Sequence, residues 1–389
     1  MIKLQKQLQV NMNYYTVEGN KKSIRKVFAI YYICMALFCI LRIVASFGAF
    51  ADGVGGDILF TFIIQIGILA VLPFLLYMFR LKVKPKEIFQ HCNFFKINIT
   101  VVLISIGLGL ICFAINVAVS SLFNGILEFS GYEFKSAGGG VSDWSTGNFF
   151  LQLFLVAVLP AICEEFLHRG IVLQGIKHIG FKKAILISSL LFALMHFNVQ
   201  QVFYAFVIGL ILGFVAVVSK NIYPAMIIHF INNAVATYLE FASHRGWIFG
   251  DMLDNLTHFL SSTKPLLVFL AVIFAMLIIV ALLCLFIWLL YKQSIIRKVN
   301  KAINKAYDNF SVLSKKPIHF GDEHDVMLEL LENNTLLNLD FKPMDNPIDI
   351  VLPKERSRYK TCRRDRLFLW GSILLGALVT IFTYIWGLF

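Results

Sequence analysis

Residues 161–170 read AICEEFLHRG and lie between the apolar stretches LQLFLVAVLP and IVLQG. Two adjacent glutamates, Glu164 and Glu165, together with His168 and Arg169, thus sit in a segment apolar enough to cross a bilayer. Two later apolar segments carry similar groups: FALMH supplies Phe192 and His196, and HFINN supplies His229, Asn232 and Asn233. An ionisable group at mid-membrane costs several kcal/mol unless it is paired or faces a wet cavity, so each is a candidate functional group. A carboxylate beside imidazoles in a low-dielectric cavity suits the activation of water. Burial raises a carboxylate's pKa towards neutrality and makes it a usable general base, and His and Asn side chains can donate to a developing oxyanion. No Ser or Cys stands with a base as a nucleophile. Cys163, next to Glu164 on an apolar helix, reads as packing, which leaves water as the attacking group.

Spacing refines this picture. Glu165 and Arg169 are four apart and can pair on one helix face, while Glu164 points about 100° away. One carboxylate can therefore be held by Arg169 while the other faces a cavity. His229 and Asn233 also share a face. Pro160, one turn before the glutamates, frees a backbone carbonyl and can kink the span. At ~1.5 Å per residue, Glu164 lies roughly 20 Å from Lys177, His196 roughly 21 Å from Lys182, and Asn233 roughly 20 Å from Lys220. Three segments thus bring their polar groups to one layer. Arg42 reads as a side chain snorkelling outward, Asn232 as a helix-packing residue, and Gly209 and Gly213 as a close helix contact. His168, one turn from Glu164, could pair with it.

The elements that must position these groups are helices. The 389 residues are 58% hydrophobic and 15% charged, with mean hydropathy +0.76. Repeated apolar runs of about 20 residues predict an all-α, polytopic transmembrane bundle. Nine spans are expected, near 27–50, 57–79, 98–123, 148–176, 183–197, 200–218, 221–241, 265–291 and 366–388. The net charge of +12 does not indicate nucleic acid, because Lys and Arg cluster beside the apolar runs. Every second loop is basic, which places the N-terminus inside. The first 26 residues predict no cleavable signal peptide, and the seven scattered Cys imply no disulfide framework. The expected units are residues 1–147 with the first three spans, a catalytic core at 148–241, an outer loop and eighth span at 242–291, a polar cytoplasmic segment at 292–365, and a final span at 366–389. Ile295, Ile296, Val299, Ile303, Tyr307 and Phe310 recur at helical spacing and suit a surface-lying helix, or one packed on its own protein.

The three motifs E-E-x-x-x-R (EEFLHR), F-x-x-x-H (FALMH) and H-x-x-x-N (HFINN), in this order on successive spans, resemble those of the CAAX protease and bacteriocin-processing family, also called the Abi family, which includes the type II CAAX prenyl endopeptidases. The resemblance covers residues 148–241. It implies an intramembrane endopeptidase acting on a membrane-associated or lipidated peptide or protein. Glu164 would be the base that activates water, supported by Glu165 paired with Arg169. His196 would help hold the water or a metal, His229 and Asn233 would stabilise the oxyanion, and Phe192 would wall the cavity. His196, His229 and Glu164 could make a zinc site, although E-E-x-x-x-R differs from the H-E-x-x-H of zinc peptidases. The compact chain without a signal peptide suits a bacterial cell membrane, where the resemblance implies a role in peptide maturation, bacteriocin self-immunity or peptide signalling. The segment 292–365 and the ninth span depart from the family's basic layout. The rival reading is a transporter, or a non-catalytic immunity or scaffold protein using the same Glu/His cluster. Against a transporter, the chain shows no internal repeat.

Overall fold

The computed structural model describes residues 17–48, 54–133, 143–252 together with 255 and 258, 265–314 and 366–388. Among these residues every regular element is helical. Helix α1 is Val17–Ser46, and α2 runs over 54–81 with a π-helical stretch at Ile63–Val71. The short α3 is Pro85–His91 and α4 is Ile99–Phe129. Helix α5 covers 146–176 and holds two π-helical stretches, Leu153–Val158 and Phe166–Leu173. Then come α6 (Phe181–Leu194), α7 (Val199–Ser219), α8 (Tyr223–Arg245), α9 (Pro265–Ser314) and α10 (Leu367–Trp386).

The starts and stops follow from local chemistry. Asn98 accepts from the N–H of Val101 at 3.0 Å and Asn198 from that of Gln200 at 2.9 Å, capping α4 and α7. Pro85 and Pro224 sit in the first turns of α3 and α8, where a missing N–H costs nothing. Gly246, at φ 63°, closes α8 by giving its N–H to the carbonyl of Ala242.

Seven helical segments are long and apolar enough to cross a membrane: Ile24–Ser46, Gly55–Leu81, Ile99–Phe129, Thr146–Ile179, Val199–Ser219, Leu270–Arg297 and Leu367–Trp386. The other two expected spans are α6 and α8, and physical reasons set them apart. With 14 residues, α6 extends only about 21 Å. With 23 residues, α8 is long enough, but His229, Asn232, Asn233 and Glu240 lower its hydropathy. Both pack inside the bundle. Gly209 and Gly213 bring α7 against Ser189 and Ile185 of α6, so close that a Cβ there would stand 3.1–3.2 Å from their side chains. The close contact expected of that pair is present.

One boundary differs from expectation. The span 265–291 and the helix beginning near Ile295 form a single helix, Pro265–Ser314. No Gly or Pro lies between Lys292 and Ser314 to stop it. Of the polar segment 292–365, residues 315–365 lie outside the described residues, as do 49–53 and 134–142 of the loops.

Candidate active site

The site is organised by α5. Pro160 has no N–H for the carbonyl of Val156, and that carbonyl accepts instead from Asn233 Nδ2 of α8 at 3.0 Å. A proline in one helix thus creates the acceptor that aims a side chain of another. π-Helical stretches lie on both sides of the glutamates, a local geometry common at functional sites.

Glu165 and Arg169 form a wholly buried ion pair, Nη1 to Oε1 at 2.9 Å. The same Oε1 accepts from His229 Nδ1 at 2.9 Å, and Arg169 Nη2 donates to the carbonyl of Gly209 at 3.0 Å. The close α6–α7 contact at Gly209 leaves that carbonyl within Arg169's reach. Arg169 also stands over the Phe192 ring, 4.5 Å from its centroid. Phe192 meets His168, His196 and His229 edge-on at 5.1, 5.0 and 5.8 Å. It is therefore the apolar hub that the three imidazoles meet edge to face.

Glu164 points elsewhere, as the helical offset requires. It is half-buried and accepts from Gln65 Nε2 of α2 at 2.9 Å. It lines a cavity of about 520 Å³ together with Phe192, His196, His229, Asn232 and Asn233. A smaller chamber of about 150 Å³ shares Glu164, Phe192 and His196. His196 lies just past the end of α6, and its Nδ1 meets the carbonyl of Phe192 at 2.9 Å. A carbonyl only accepts, so Nδ1 carries a proton, and in the neutral imidazole Nε2 keeps its lone pair. Of the seven residues to which the resemblance gives a role, Glu165 and Arg169 thus form a buried support. The remaining five line one cavity, and His229 touches both sets.

The Asn side chains form a directed relay. Ser120 Oγ donates to Asn116 Oδ1 at 3.0 Å, and Asn116 Nδ2 to Asn232 Oδ1 at 3.3 Å. Asn232 Nδ2 then donates to Asn233 Oδ1 at 2.9 Å. The relay ends on the Val156 carbonyl. Because that group can only accept, it fixes the orientation of every amide before it and leaves Asn233 one further N–H.

Sequence reasoning missed four contributors. Asn232 is a link in this relay rather than a simple packing residue. Asn116 and Gln65 are neutral polar residues in apolar spans, the signal that could have singled them out. Arg42 does not snorkel away: its Nη1 donates to the carbonyl of His196 at 3.0 Å, and the side chain lines both chambers. His168 turns its Nδ1 to the backbone carbonyl of Glu164 at 2.8 Å, not to the carboxylate. Among the described residues no group of three His, Cys, Asp or Glu side chains is gathered closely enough to hold a metal ion. His196, His229 and Glu164 line one cavity without forming such a set.

Residues 146–235 match the family model described as Type II CAAX prenyl endopeptidase Rce1-like. This agrees with the resemblance carried by the three motifs. The matched stretch runs from the start of α5 into α8 and contains every motif residue from Glu164 to Asn233. It supports a protease of the CAAX type in an integral membrane protein. Searches of curated proteins and of solved structures return no match.

Proposed function

We propose that the protein is an intramembrane endopeptidase in which Glu164 activates water against a peptide bond held in the 520 Å³ cavity. The observation that carries this reading is the different treatment of two adjacent carboxylates. Glu165 is consumed by Arg169 and His229. Among the described residues Glu164 has a single side-chain hydrogen bond, from neutral Gln65, and it lines the cavity.

Gln65 occupies Oε1 of Glu164 and leaves Oε2 to take a proton from water, whose second hydrogen can be held by His196 Nε2. The water oxygen attacks the carbonyl carbon, and the π pair moves onto the carbonyl oxygen. That oxyanion is met by the remaining N–H of Asn233, and by His229 Nε2 when it carries a proton. Collapse of the intermediate restores the carbonyl and breaks the C–N bond. The proton held by Glu164 passes to the leaving nitrogen. Asn233 is held from both sides by the relay, so little reorganisation is needed as charge develops. The substrate class is a peptide or protein segment presented at the membrane, since Phe38, Phe60, Leu155 and Ile208 line the cavity alongside Arg42, Gln201 and Glu240.

The test compares cells expressing wild type or Glu164→Gln at matched membrane levels, with membrane and secreted peptides read by mass spectrometry. At least one peptide should be cut by the wild type alone, since a general base contributes about 10²–10⁴-fold. Retention of the full cellular phenotype by Glu164→Gln would remove Glu164 from the reaction and leave a scaffold or immunity role.

A further inference from the structure

A second cavity, of about 510 Å³, lies between α4, α8 and α9 and includes none of the site residues. Its place in the bundle is set by where the apolar segments end. The span Ile99–Phe129 begins beside it, Val199–Ser219 ends in it, and Leu270–Arg297 also ends in it. Two helix ends and the end of the apolar stretch of α9, which itself runs on to Ser314, therefore put it at the boundary between hydrocarbon and water.

Its lining has one sign of charge. Lys96 and Arg297 face it, and among the described residues no acidic side chain lines it. Most of its neutral polar groups are already committed. Asn221 Nδ2 donates to the carbonyl of Phe95 at 2.7 Å, and its Oδ1 accepts from the N–H of Tyr223 at 3.0 Å. Ser219 Oγ donates to the carbonyl of Asn221 at 2.9 Å. Arg297 gives Nη2 to the carbonyl of Ser219, which anchors the guanidinium but does not neutralise it. The N-termini of α4 and α8 open at the same place and add positive partial charge. Below the cations the wall is apolar, with Val101, Leu290 and Ile296.

From this arrangement we propose that the cavity binds one anionic glycerophospholipid. Its phosphate sits between Lys96 and Arg297, and an acyl chain lies against Val101, Leu290 and Ile296. Charge complementarity requires an anion, and the interfacial position with an apolar floor selects a lipid phosphate over a soluble one. Basic pockets between helix ends at this level have the chemistry of headgroup sites. The lipid would fasten α9 to α4 and α8, and α8 carries His229 and Asn233.

The experiment is native mass spectrometry of the full chain released from detergent, titrated with phosphatidylglycerol or with phosphatidylcholine of the same acyl chains. Wild type should hold one phosphatidylglycerol in preference to phosphatidylcholine. K96Q/R297Q should bind phosphatidylglycerol about thirty-fold more weakly, from roughly five-fold per basic residue at a membrane surface, with phosphatidylcholine unchanged. K182Q/K183Q removes the same charge elsewhere and should bind like wild type. If the double variant does not fold, Lys96→Gln alone should weaken binding about five-fold. Equal binding of both lipids by the wild type, or undiminished phosphatidylglycerol binding by K96Q/R297Q, overturns the proposal. Displacement of the lipid by millimolar inorganic phosphate would also overturn it, assigning the cavity to a soluble phosphate.

Discussion

The two cavities have nearly the same volume, about 520 and 510 Å³, and are built on opposite plans. The first holds Glu164 and two imidazoles in the interior of the bundle, beside a carboxylate neutralised by Arg169. The second holds Lys96 and Arg297 where three spans end. The difference follows from solvation. A charge deep in the bundle persists only with partners built from the protein, so the interior cavity is surrounded by directed hydrogen bonds. A charge at the rim keeps contact with water and needs no such support. The interior cavity should therefore be sensitive to the loss of single partners, and the rim cavity tolerant.

That contrast can be broken in three places. The largest effect on folding is expected at the buried pair. Arg169→Met leaves Glu165 charged and buried beside His229, and should cost about 3–5 kcal/mol, read as a lowered midpoint in thermal denaturation. Adding Glu165→Gln should recover part of the loss, whereas K96Q/R297Q should shift the midpoint little in phosphatidylcholine. Comparable destabilisation by the rim variant would remove the distinction. Next comes Asn233→Ala, which deletes the oxyanion donor but no charge. It should lower kcat about 10²–10³-fold with a near-normal midpoint. Asn116→Ala, which only aims Asn233, should lower kcat less. A change confined to KM in both variants would place the relay in substrate binding instead.

The smallest effect concerns His91 on α3, outside the spans. Burial, with Lys177 and His178 nearby, pushes its imidazole down to about 4 from an ordinary value near 6.5. The folded state thus binds a proton less readily than the unfolded chain. The stability this represents is fully present above about pH 6.5 and is lost as pH falls through about 4, up to roughly 3 kcal/mol. The thermal midpoint of wild type should fall between pH 7 and pH 4, and His91→Gln should flatten that slope. An unchanged slope would show that other groups set the acid limit.

Much of the site is legible in the sequence. The i, i+4 spacing of Glu165 and Arg169 imposes their pairing once a helix forms, and the neighbouring position sends Glu164 to another face. In an α-helix Pro160 offers no N–H to the carbonyl of Val156. The apolar runs, with basic residues beside them, specify helices that cross a membrane. Tertiary structure decided which groups from distant spans meet. Nothing in the local pattern of α2 or α4 says that Gln65 will reach Glu164, or that Asn116 will begin a relay ending on Val156. Arg42 could snorkel outward by its own helix's logic, and only the placement of the α6 end gives it the His196 carbonyl. The short-range rules come from backbone geometry, which each segment carries with it. The long-range contacts depend on how side-chain volumes let helices approach, as at Gly209 and Gly213, and that is settled only when all the helices pack together.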